Sequence, residues 1–258
     1  MSIKPGQMHG RDAFIANISS RLGRKAPPST PPERPFRGAP EFYKEIERTT
    51  DEKIELFIQN WTALTGKVLV VEEAEAKTAI GAWLKEIAAE LNVTHVSRWE
   101  HEGLIALGLD EALAEAGVTV VPWKEIESAG NESASEAEGS SNWAKRSELL
   151  KRTERCQLGM IWPDYAIANT STLALQCSPQ RGRSVSLLTD ILFAVFRADQ
   201  LVTRMGEAFS GITAGKANGS DYASSLNLIT GPSRSADIEN DLTIGIHGPG
   251  KVYAVIIK

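Results

Sequence analysis

Three stretches in the C-terminal half of the chain combine residue types that suit the binding of a small anion. The first is D-Y-A-I-A-N-T-S-T, residues 164–172, where Thr170, Ser171 and Thr172 stand at a predicted turn into a strand. Such hydroxyl groups and the adjacent backbone N–H groups can hold an anion or a polar ligand. The same hydroxyls can instead cap their own backbone, and the sequence leaves both alternatives open.

The second stretch is Q-R-G-R-S, residues 180–184, where a glycine turn separates Arg181 from Arg183 ahead of the apolar run V-S-L-L, a predicted strand. Arginine suits carboxylate recognition because its planar guanidinium group can donate two parallel hydrogen bonds. Two solvated arginines on a hairpin would give the same pattern. The stretch is therefore either a carboxylate site or an ordinary polar turn.

The third stretch covers residues 227–239 and is followed closely by G-I-H-G-P, residues 245–249. An apolar strand is predicted to enter a Gly-Pro turn, and the Ser-Arg-Ser segment after it could open a short helix. Helix N-termini favour negative charge, and open α/β sheets bind ligands beyond the carboxyl ends of their strands. The residues that we expect to form this anion site are Gly231, Ser233, Arg234, Ser235, Asp237, Glu239 and His247.

An ordinary helix N-cap would explain part of the same stretch. Ser233 or Ser235 could accept a hydrogen bond from the first turn, and the helix dipole would favour Asp237. Neither serine has Glu or Gln three positions later, so the full capping box is missing. His247 could be a structural turn residue or a catalytic group, and no residue is assigned a catalytic role.

Several common kinds of site are excluded by the sequence. It contains no G-x-G-x-x-G, no Walker-type phosphate loop and no G-x-S-x-G nucleophile elbow. The four histidines lack the spacing of zinc ligands. The only cysteines are Cys156 and Cys177, whereas iron-sulfur clusters normally take four thiolates. We therefore expect neither a metal site nor a redox cofactor in this chain.

Composition and charge narrow the class of protein. The formal net charge is −5, and the basic residues form no long stripe, which disfavours nucleic-acid binding. Hydrophobic residues make up 42% of the chain, enough for a sizeable core. Without an apolar run of membrane-spanning length or a secretory signal, we expect a cytoplasmic protein with no membrane insertion.

The N-terminal part predicts a short amphipathic helix over residues 10–24, followed by a proline-rich arm. Six of the twelve prolines fall within residues 27–40, where they prevent regular ladders and helices. The arm is either a linker or a segment that lies on a partner protein or a second copy, so a homo-oligomer stays open. We expect one region over residues 1–45 and one α/β domain over residues 46–258.

From residue 49 onward, predicted helices and strands alternate, which favours a parallel sheet with crossover helices. The predicted helices cover residues 49–64, 74–91, 102–116, 143–155 and 199–214. Predicted strands cover residues 66–73, 94–99 and 118–123, the sheet resumes after residue 158, and the chain closes on the strand Y-A-V-I-I-K. The small, polar and acidic residues 127–142 predict a mobile surface loop.

Three C-terminal segments resemble, in order and spacing, the LUD-domain proteins of the lactate utilization protein C family. They are G-R-S-V-S-L-L, then G-P-S-R-S-A-D-I-E, then L-T-I-G-I-H-G-P-G-K-V-Y-A-V-I-I. The N-terminal L-G-R, residues 22–24, resembles the opening of the family more weakly. The resemblance implies a Rossmann-like α/β domain, a mostly parallel sheet with flanking helices, similar to the sugar-phosphate isomerase and coenzyme A transferase fold.

The same resemblance implies a part in bacterial L-lactate utilization, in which iron-sulfur partner proteins carry the redox clusters for oxidation to pyruvate. This chain would have no redox centre, and its polar loops would recognise lactate, pyruvate or the surface of a partner. Whether it is itself an enzyme is left open. The alternatives are a free-standing enzyme acting on a small phosphorylated or acyl-activated metabolite, and a non-enzymatic assembly factor.

One position departs from the family pattern. Where the family commonly reads A-E-T-G-T, this chain has A-N-T-S-T at residues 168–172, so Asn169 and Ser171 replace a carboxylate and a glycine. The change puts any acid–base role at residue 169 in doubt.

Overall fold

The described part of the molecule has clear bounds along the chain. The computed structural model describes residues 10–30, 47–124, 148–217, 221–236 and 242–258. Contacts divide the chain into two units, Met1–Glu47 and Arg48–Lys258. The predicted division into a region over residues 1–45 and a domain over residues 46–258 stays a prediction. Most of the predicted arm and all of the predicted loop at residues 127–142 lie outside the described residues.

In the first unit, the predicted amphipathic helix is confirmed as α1 (Arg11–Arg21). Its side chains Phe14, Ile18 and Leu22 are exposed. The helix ends at Arg21, Leu22 is its C-cap, and Gly23 then adopts a left-handed conformation with φ 70°, as is common just beyond a helix C-terminus.

Six parallel strands form the central sheet of the second unit. They are β1 (Lys67–Val71), β2 (His95–Trp99), β3 (Thr119–Trp123), β4 (Leu158–Ile161), β7 (Ile191–Arg197) and β12 (Lys251–Ile257). The order across the sheet is β1-β12-β7-β4-β2-β3, with every neighbouring pair parallel. The predicted parallel α/β sheet is confirmed, and the C-terminal strand is inserted between β1 and β7.

A second, smaller sheet packs beside the first. Its strands are β5 (Tyr165–Ile167), β6 (Thr172–Gln176), β8 (Leu201–Val202) and β9 (Leu226–Thr230), in the order β8-β5-β6-β9. A two-stranded ribbon pairs β10 (Arg234–Ser235) with β11 (Thr243–Ile244). The predicted turn into a strand at residues 170–172 is confirmed, because a 3₁₀ turn over Ala168–Thr170 leads into β6.

Helices pack on the central sheet and on the smaller sheet. They are α2 (Thr50–Ala63), α3 (Ala76–Glu90), α4 (Glu102–Ala106), α5 (Leu109–Glu115), α6 (Glu148–Glu154), α7 (Ser184–Leu187) and α8 (Met205–Thr213). A capping box starts α2, where the Thr49 hydroxyl accepts from the Glu52 N–H and the Glu52 carboxylate accepts from the Thr49 N–H. Across the described ranges, no helix has the length and apolarity needed to cross a membrane.

Aromatic side chains tie α2 and α3 to opposite faces of the central strand β7. Phe196 packs edge-on against Phe57 of α2 at 5.4 Å between ring centroids. Phe193 points to the other face and lies 5.6 Å from Trp83 of α3, which also meets Tyr253 of β12 at 5.4 Å. Because alternate strand residues face opposite sides, β7 is buried on both faces and forms the centre of the core.

Three predicted elements are wrong in detail. The predicted helix 102–116 is two helices, because Gly108 adopts φ 59° between α4 and α5. The predicted helix from residue 199 begins only at Met205, after a 3₁₀ turn and β8. The predicted strand V-S-L-L is the short helix α7, whose buried Val185 packs on β4. Four residues are too short a window for periodicity to separate helix from strand.

Candidate functional site

The third predicted stretch lies at the amino ends of the central strands. Ser233 donates its backbone N–H to the carbonyl of Pro249 at 2.8 Å, just before β12 begins. His247 donates its N–H to the Ser233 hydroxyl at 3.3 Å. Arg234 Nη2 donates to the carbonyl of Leu64 at 2.9 Å, between α2 and β1. The expected position beyond the carboxyl ends is therefore wrong.

The short helix predicted at residues 233–235 is also wrong, since this segment joins the β10–β11 ribbon. Gly231 makes the preceding turn with φ 71°, and a Cβ there would lie 2.9 Å from Leu64, so both backbone and packing favour glycine. Asp237 and Glu239 lie outside the described residues. Anion binding by this loop stays a prediction.

The first stretch converges with the third. The Thr172 hydroxyl lies 2.7 Å from the hydroxyl of Thr230 and 2.8 Å from that of Thr170. Ser171 donates its hydroxyl to the carbonyl of Thr170 at 2.8 Å. Because Thr230 directly precedes Gly231, the two stretches meet at one place. The hydroxyls bond to each other and to backbone, which favours the capping alternative, while Thr170 remains exposed.

The second stretch lies at the opposite, carboxyl edge of the central sheet. Arg181 and Arg183 belong to the loop of residues 178–183, whose Gln180 carbonyl accepts the N–H of Glu100, just beyond β2, at 3.2 Å. Arg183 is exposed, and its side chain has no hydrogen-bond partner in the part of the chain that the structure describes. The structure therefore separates these arginines from the other predicted site residues.

Two tryptophans at the ends of neighbouring strands hold this loop. The Trp99 indole N–H donates to the carbonyl of Gly182 at 2.8 Å, and the Trp123 indole N–H donates to the carbonyl of Pro179 at 3.1 Å. A Cβ on Gly182 would lie 2.1 Å from the Trp123 ring, so only glycine fits against it. The strand ends thereby fix the loop that carries Arg181.

The strand order of the central sheet reverses next to this loop. The chain passes from β2 outward to β3, but from β4 in the opposite direction to β7. Open α/β sheets bind ligands at such a reversal, beyond the carboxyl ends of the strands. His101 follows β2 and Trp162 follows β4, and their rings stack with centroids 5.1 Å apart and planes 11° apart. These two residues define a crevice at the reversal.

His101 is a neutral hydrogen-bond donor at this position. Its Nδ1 accepts the backbone N–H of Gly103 at 3.1 Å, so the neutral ring carries its proton on Nε2. Burial lowers the pKa of His101, and the positive charge of Arg181 lowers it further, while Glu102 and Asp164 act weakly in the opposite direction. The ring is therefore uncharged near neutral pH.

Asp164 orients Arg181 beside the crevice. Its Oδ1 accepts from Arg181 Nη1 at 3.0 Å, and its Oδ2 accepts from the backbone N–H of Gln176 at 2.7 Å. Both carboxylate oxygens are thus occupied. Asp164 acts as an anchor for the guanidinium group, which is only partly exposed at 29% of its side-chain area.

Two adjoining clefts open at this edge. The first has a volume of about 560 Å³ and is lined by residues that include His101, Glu102, Trp162 and Arg197. The second has a volume of about 390 Å³ and is lined by residues that include Asp164, Tyr165, Gln176 and Lys216. Asp199 and Gln200 line both clefts, which together form what we call the carboxyl-edge groove.

His101 and Trp162 are site residues that the sequence did not predict, and Asp164 has a role that the sequence did not indicate. The available signal was their position, because each follows directly or closely after a predicted strand. What the sequence does not display is that β2 and β4, far apart along the chain, are neighbours in the sheet.

The two cysteines occupy separate environments. Cys156 is buried, its thiol donates to the carbonyl of Arg152 at 3.3 Å, and burial raises its pKa to about 11. Cys177 is half-buried and accepts a hydrogen bond from Asn227 Nδ2 at 3.4 Å. Within the described ranges, no group of three or more His, Cys, Asp or Glu residues is arranged to hold a metal ion.

Comparison with known proteins places the chain in a family. The sequence model of the LUD domain matches residues 54–257. The chain belongs to the LUD domain family. Lactate utilization protein C of Bacillus subtilis is 28% identical over 257 residues, covering 98% of each chain. The protein of that name from Geobacillus kaustophilus is 29% identical over 256 residues, again covering 98% of each.

A third relative and a solved structure agree with this assignment. Lactate utilization protein C of Halalkalibacterium halodurans is 26% identical over 248 residues, covering 96% of this chain and 97% of the relative. The crystal structure of a DUF162 family protein from Deinococcus radiodurans superposes with a TM-score of 0.54 at 19% identity. It covers 82% of this chain and 100% of that chain, and it supports the α/β fold.

The structure shows the surroundings of Asn169 and Ser171, the two residues at which this LUD domain departs from A-E-T-G-T. Ser171 adopts φ 45°, a left-handed conformation that glycine accepts without strain, which accounts for a glycine at this position in the pattern. Asn169 is exposed, and the Asn60 side chain holds the turn by donating to the carbonyls of Ala168 and Asn169, each at 3.0 Å. An amide at residue 169 cannot act as an acid or base near neutral pH.

Proposed function

We propose that this protein is a component of bacterial L-lactate utilization, the oxidation of L-lactate to pyruvate, and that it acts in the cytoplasm. The observation that carries the proposal is the near full-length similarity to lactate utilization protein C of several bacteria, at 24–29% identity. The similarity covers 96% or more of this chain in each of these relatives. It is therefore not confined to the fold-forming strands.

In this proposal the chain has no redox centre, and iron-sulfur partner proteins transfer the electrons. The chemistry of the two cysteine thiols supports the assignment of the iron-sulfur clusters to the partner proteins. An iron-sulfur cluster needs thiolate ligands, whereas Cys156 is a buried thiol whose pKa is raised to about 11. Cys177 alone cannot bind a cluster of the common four-thiolate type.

The carboxyl-edge groove supports a role in handling a small acid. It lies at the reversal of strand order, and it is lined by the neutral ring of His101 and by Asp164, which accepts a hydrogen bond from Arg181. An oriented arginine and a hydrogen-bond donor are the groups that a hydroxy acid or its oxo product requires. The groove is therefore our candidate for the place where the chain contacts the substrate or product.

Reconstitution tests the proposal. The tagged chain is co-expressed with the iron-sulfur proteins of the same genome that carry C-x-x-C-x-x-C runs, and the eluate is assayed for L-lactate-dependent reduction of an electron-accepting dye. We expect co-elution and dye reduction that depends on this chain, and we expect the chain purified alone to be colourless and free of iron. Equal dye reduction without the chain, or a brown iron-containing chain, would contradict the proposal.

A further inference from the structure

The central sheet ends on two edge strands, β1 and β3, which differ in how their outer edges are protected. An edge strand presents a row of unpaired backbone N–H and C=O groups with which another strand can pair. β3 contains Pro122, which has no N–H to donate, and proline is a common protection of a sheet edge. β1 contains no proline over Lys67–Val71. The outer edge of β1 is therefore the better place for a further strand.

β1 has the composition of an interior strand but is only partly buried. Its sequence is K-V-L-V-V, and Val68, Leu69 and Val70 pack on the core while each keeps an exposed part. In the neighbouring β12, by contrast, residues 252–257 are all buried. Among the described residues, β1 pairs with β12 alone. A strand added on its other side would cover apolar surface and would satisfy the outer backbone groups.

The two ends of β1 carry opposite charges. Lys67 begins the strand, and Glu72 and Glu73 follow its last residue. In an antiparallel pair of identical strands, the start of each strand lies beside the end of the other. A parallel pair would instead bring like charges together at both ends, which is destabilising. The charges of β1 are therefore complementary to those of a second, antiparallel copy.

The charged groups at these ends are available for such a contact. Lys67 is 57% exposed and makes only a loose ion pair with Glu90 at 3.7 Å. Glu72 is exposed, and its side chain has no hydrogen bond or ion pair with any residue that the structure describes. The nearby Lys258 is paired with Asp51 at 2.9 Å instead. Both Lys67 and Glu72 have long side chains that can reach a neighbouring chain.

We propose that two copies of this protein pair through β1, antiparallel about a two-fold axis at Leu69, so that their central sheets join into one. Lys67 of each copy then lies opposite Val71 of the other and beside its Glu72. Strand addition at an open edge supplies backbone hydrogen bonds, and the two charged ends set the direction of pairing. A two-fold axis uses the same surface on both copies, as in most homodimers. The inference does not depend on the proposed function in lactate utilization.

Sedimentation of the full chain at increasing protein concentration tests whether it dimerises. We expect a reversible equilibrium between monomer and dimer. Hydrogen exchange then locates the interface, because the backbone amides of β1 should exchange more slowly as the dimer forms, whereas those of β3 should not change. A chain that stays monomeric, or a dimer in which the exchange of β1 does not slow, overturns the proposal.

Charge reversal at the two ends of β1 tests the antiparallel contact. Lys67→Glu places a carboxylate beside Glu72 of the other copy, and the two-fold axis repeats this change, so dimerisation should weaken by about tenfold. Glu72→Lys should weaken dimerisation for the corresponding reason. An equimolar mixture of the two variants restores opposite charges at both contacts. The mixed dimer should therefore form more tightly than the dimer of either variant alone.

Lys124→Glu is the matched control. Lys124 is exposed just beyond β3 at the opposite edge of the sheet, and its reversal changes the net charge as Lys67→Glu does. This variant should dimerise like the wild type. All three substituted residues are exposed, so the variants should fold, and melting curves check this. An equal loss in Lys124→Glu, or a mixture that does not recover, would mean that Lys67 and Glu72 do not meet and would overturn the proposal.

Discussion

Trp99 and Trp123 lie opposite each other at the ends of β2 and β3, and both donate their indole N–H groups to the same loop. Their acceptors, the carbonyls of Gly182 and Pro179, flank Arg181 along the chain. The pairing of two strands thereby sets the position of an arginine more than fifty residues away. The two indoles are therefore the structural basis for the position of Arg181.

The contact between Gly182 and Trp123 leads to the first prediction. Gly182→Ala should destabilise the protein by about 1–3 kcal/mol, because the new Cβ would lie 2.1 Å from the indole and one of the two must move. Urea unfolding measures the change. Gly206→Ala is the control, since a Cβ there meets nothing within 4 Å, and an equal loss in both variants would contradict the packing argument.

His101 predicts a pH dependence of stability. Burial and the charge of Arg181 lower the pKa of His101 from its ordinary value of 6.5, so the unfolded chain binds this proton first as the pH falls. The stability contribution is complete above about pH 6.5 and is lost as the pH falls from there toward the folded pKa.

The measurement compares urea unfolding of the wild type and His101→Gln between about pH 5 and 8, the range in which histidine side chains titrate. The wild type should lose more stability on acidification than the variant does. The ring proton of His101, followed by NMR, should titrate below 6.5. A midpoint above that value would show that the ring is stabilised in its charged form.

The two thiols should react differently with iodoacetamide. With its pKa raised to about 11, the Cys156 thiol is thiolate in only about one molecule in a thousand at pH 8, and it is buried. The native protein should therefore be alkylated at the half-buried Cys177, and at Cys156 only after unfolding. Mass spectrometry of peptides checks this, with Cys177→Ser as the control that should stay unlabelled. Rapid labelling of native Cys156 would contradict the burial described here.

The A-N-T-S-T turn offers a paired prediction. Asn169→Glu should be tolerated, with a change in unfolding free energy within about 0.5 kcal/mol, because the side chain is exposed. Ser171→Gly should be neutral or stabilising, because φ 45° suits glycine, although the hydroxyl contact to Thr170 is lost. Melting curves measure both. Loss of soluble Asn169→Glu protein would show that no charge can be accommodated there.

Much of the fold could be predicted from local patterns. The apolar strands, and the helix predicted from residue 49, lie where the sequence indicates, since burial of a strand on both faces leaves a continuous apolar run. The break at Gly108 could not be predicted from the sequence. A glycine inside a helical pattern can either end the helix or be tolerated within it, and only its left-handed φ shows that it ends the helix here.

The candidate site was less predictable, because it depends on contacts between distant segments. Arg181 and Arg234 each stand next to a predicted glycine turn in the sequence. In the structure, Arg181 lies at the carboxyl edge of the sheet, whereas Arg234 lies beside Leu64 at the amino edge. Which edge a loop reaches depends on the order and direction of the strands. His101 carries no motif, and its role emerges only when β2 is seen beside β4.

Growth on L-lactate tests the central claim most directly. A strain lacking the gene is compared with the same strain carrying the wild-type gene, on L-lactate and on glucose as the sole carbon source. We expect the deletion strain to fail on L-lactate, to grow normally on glucose, and to recover on L-lactate with the restored gene. Wild-type growth of the deletion strain on L-lactate, in the absence of a second lactate-oxidising system, would contradict the account.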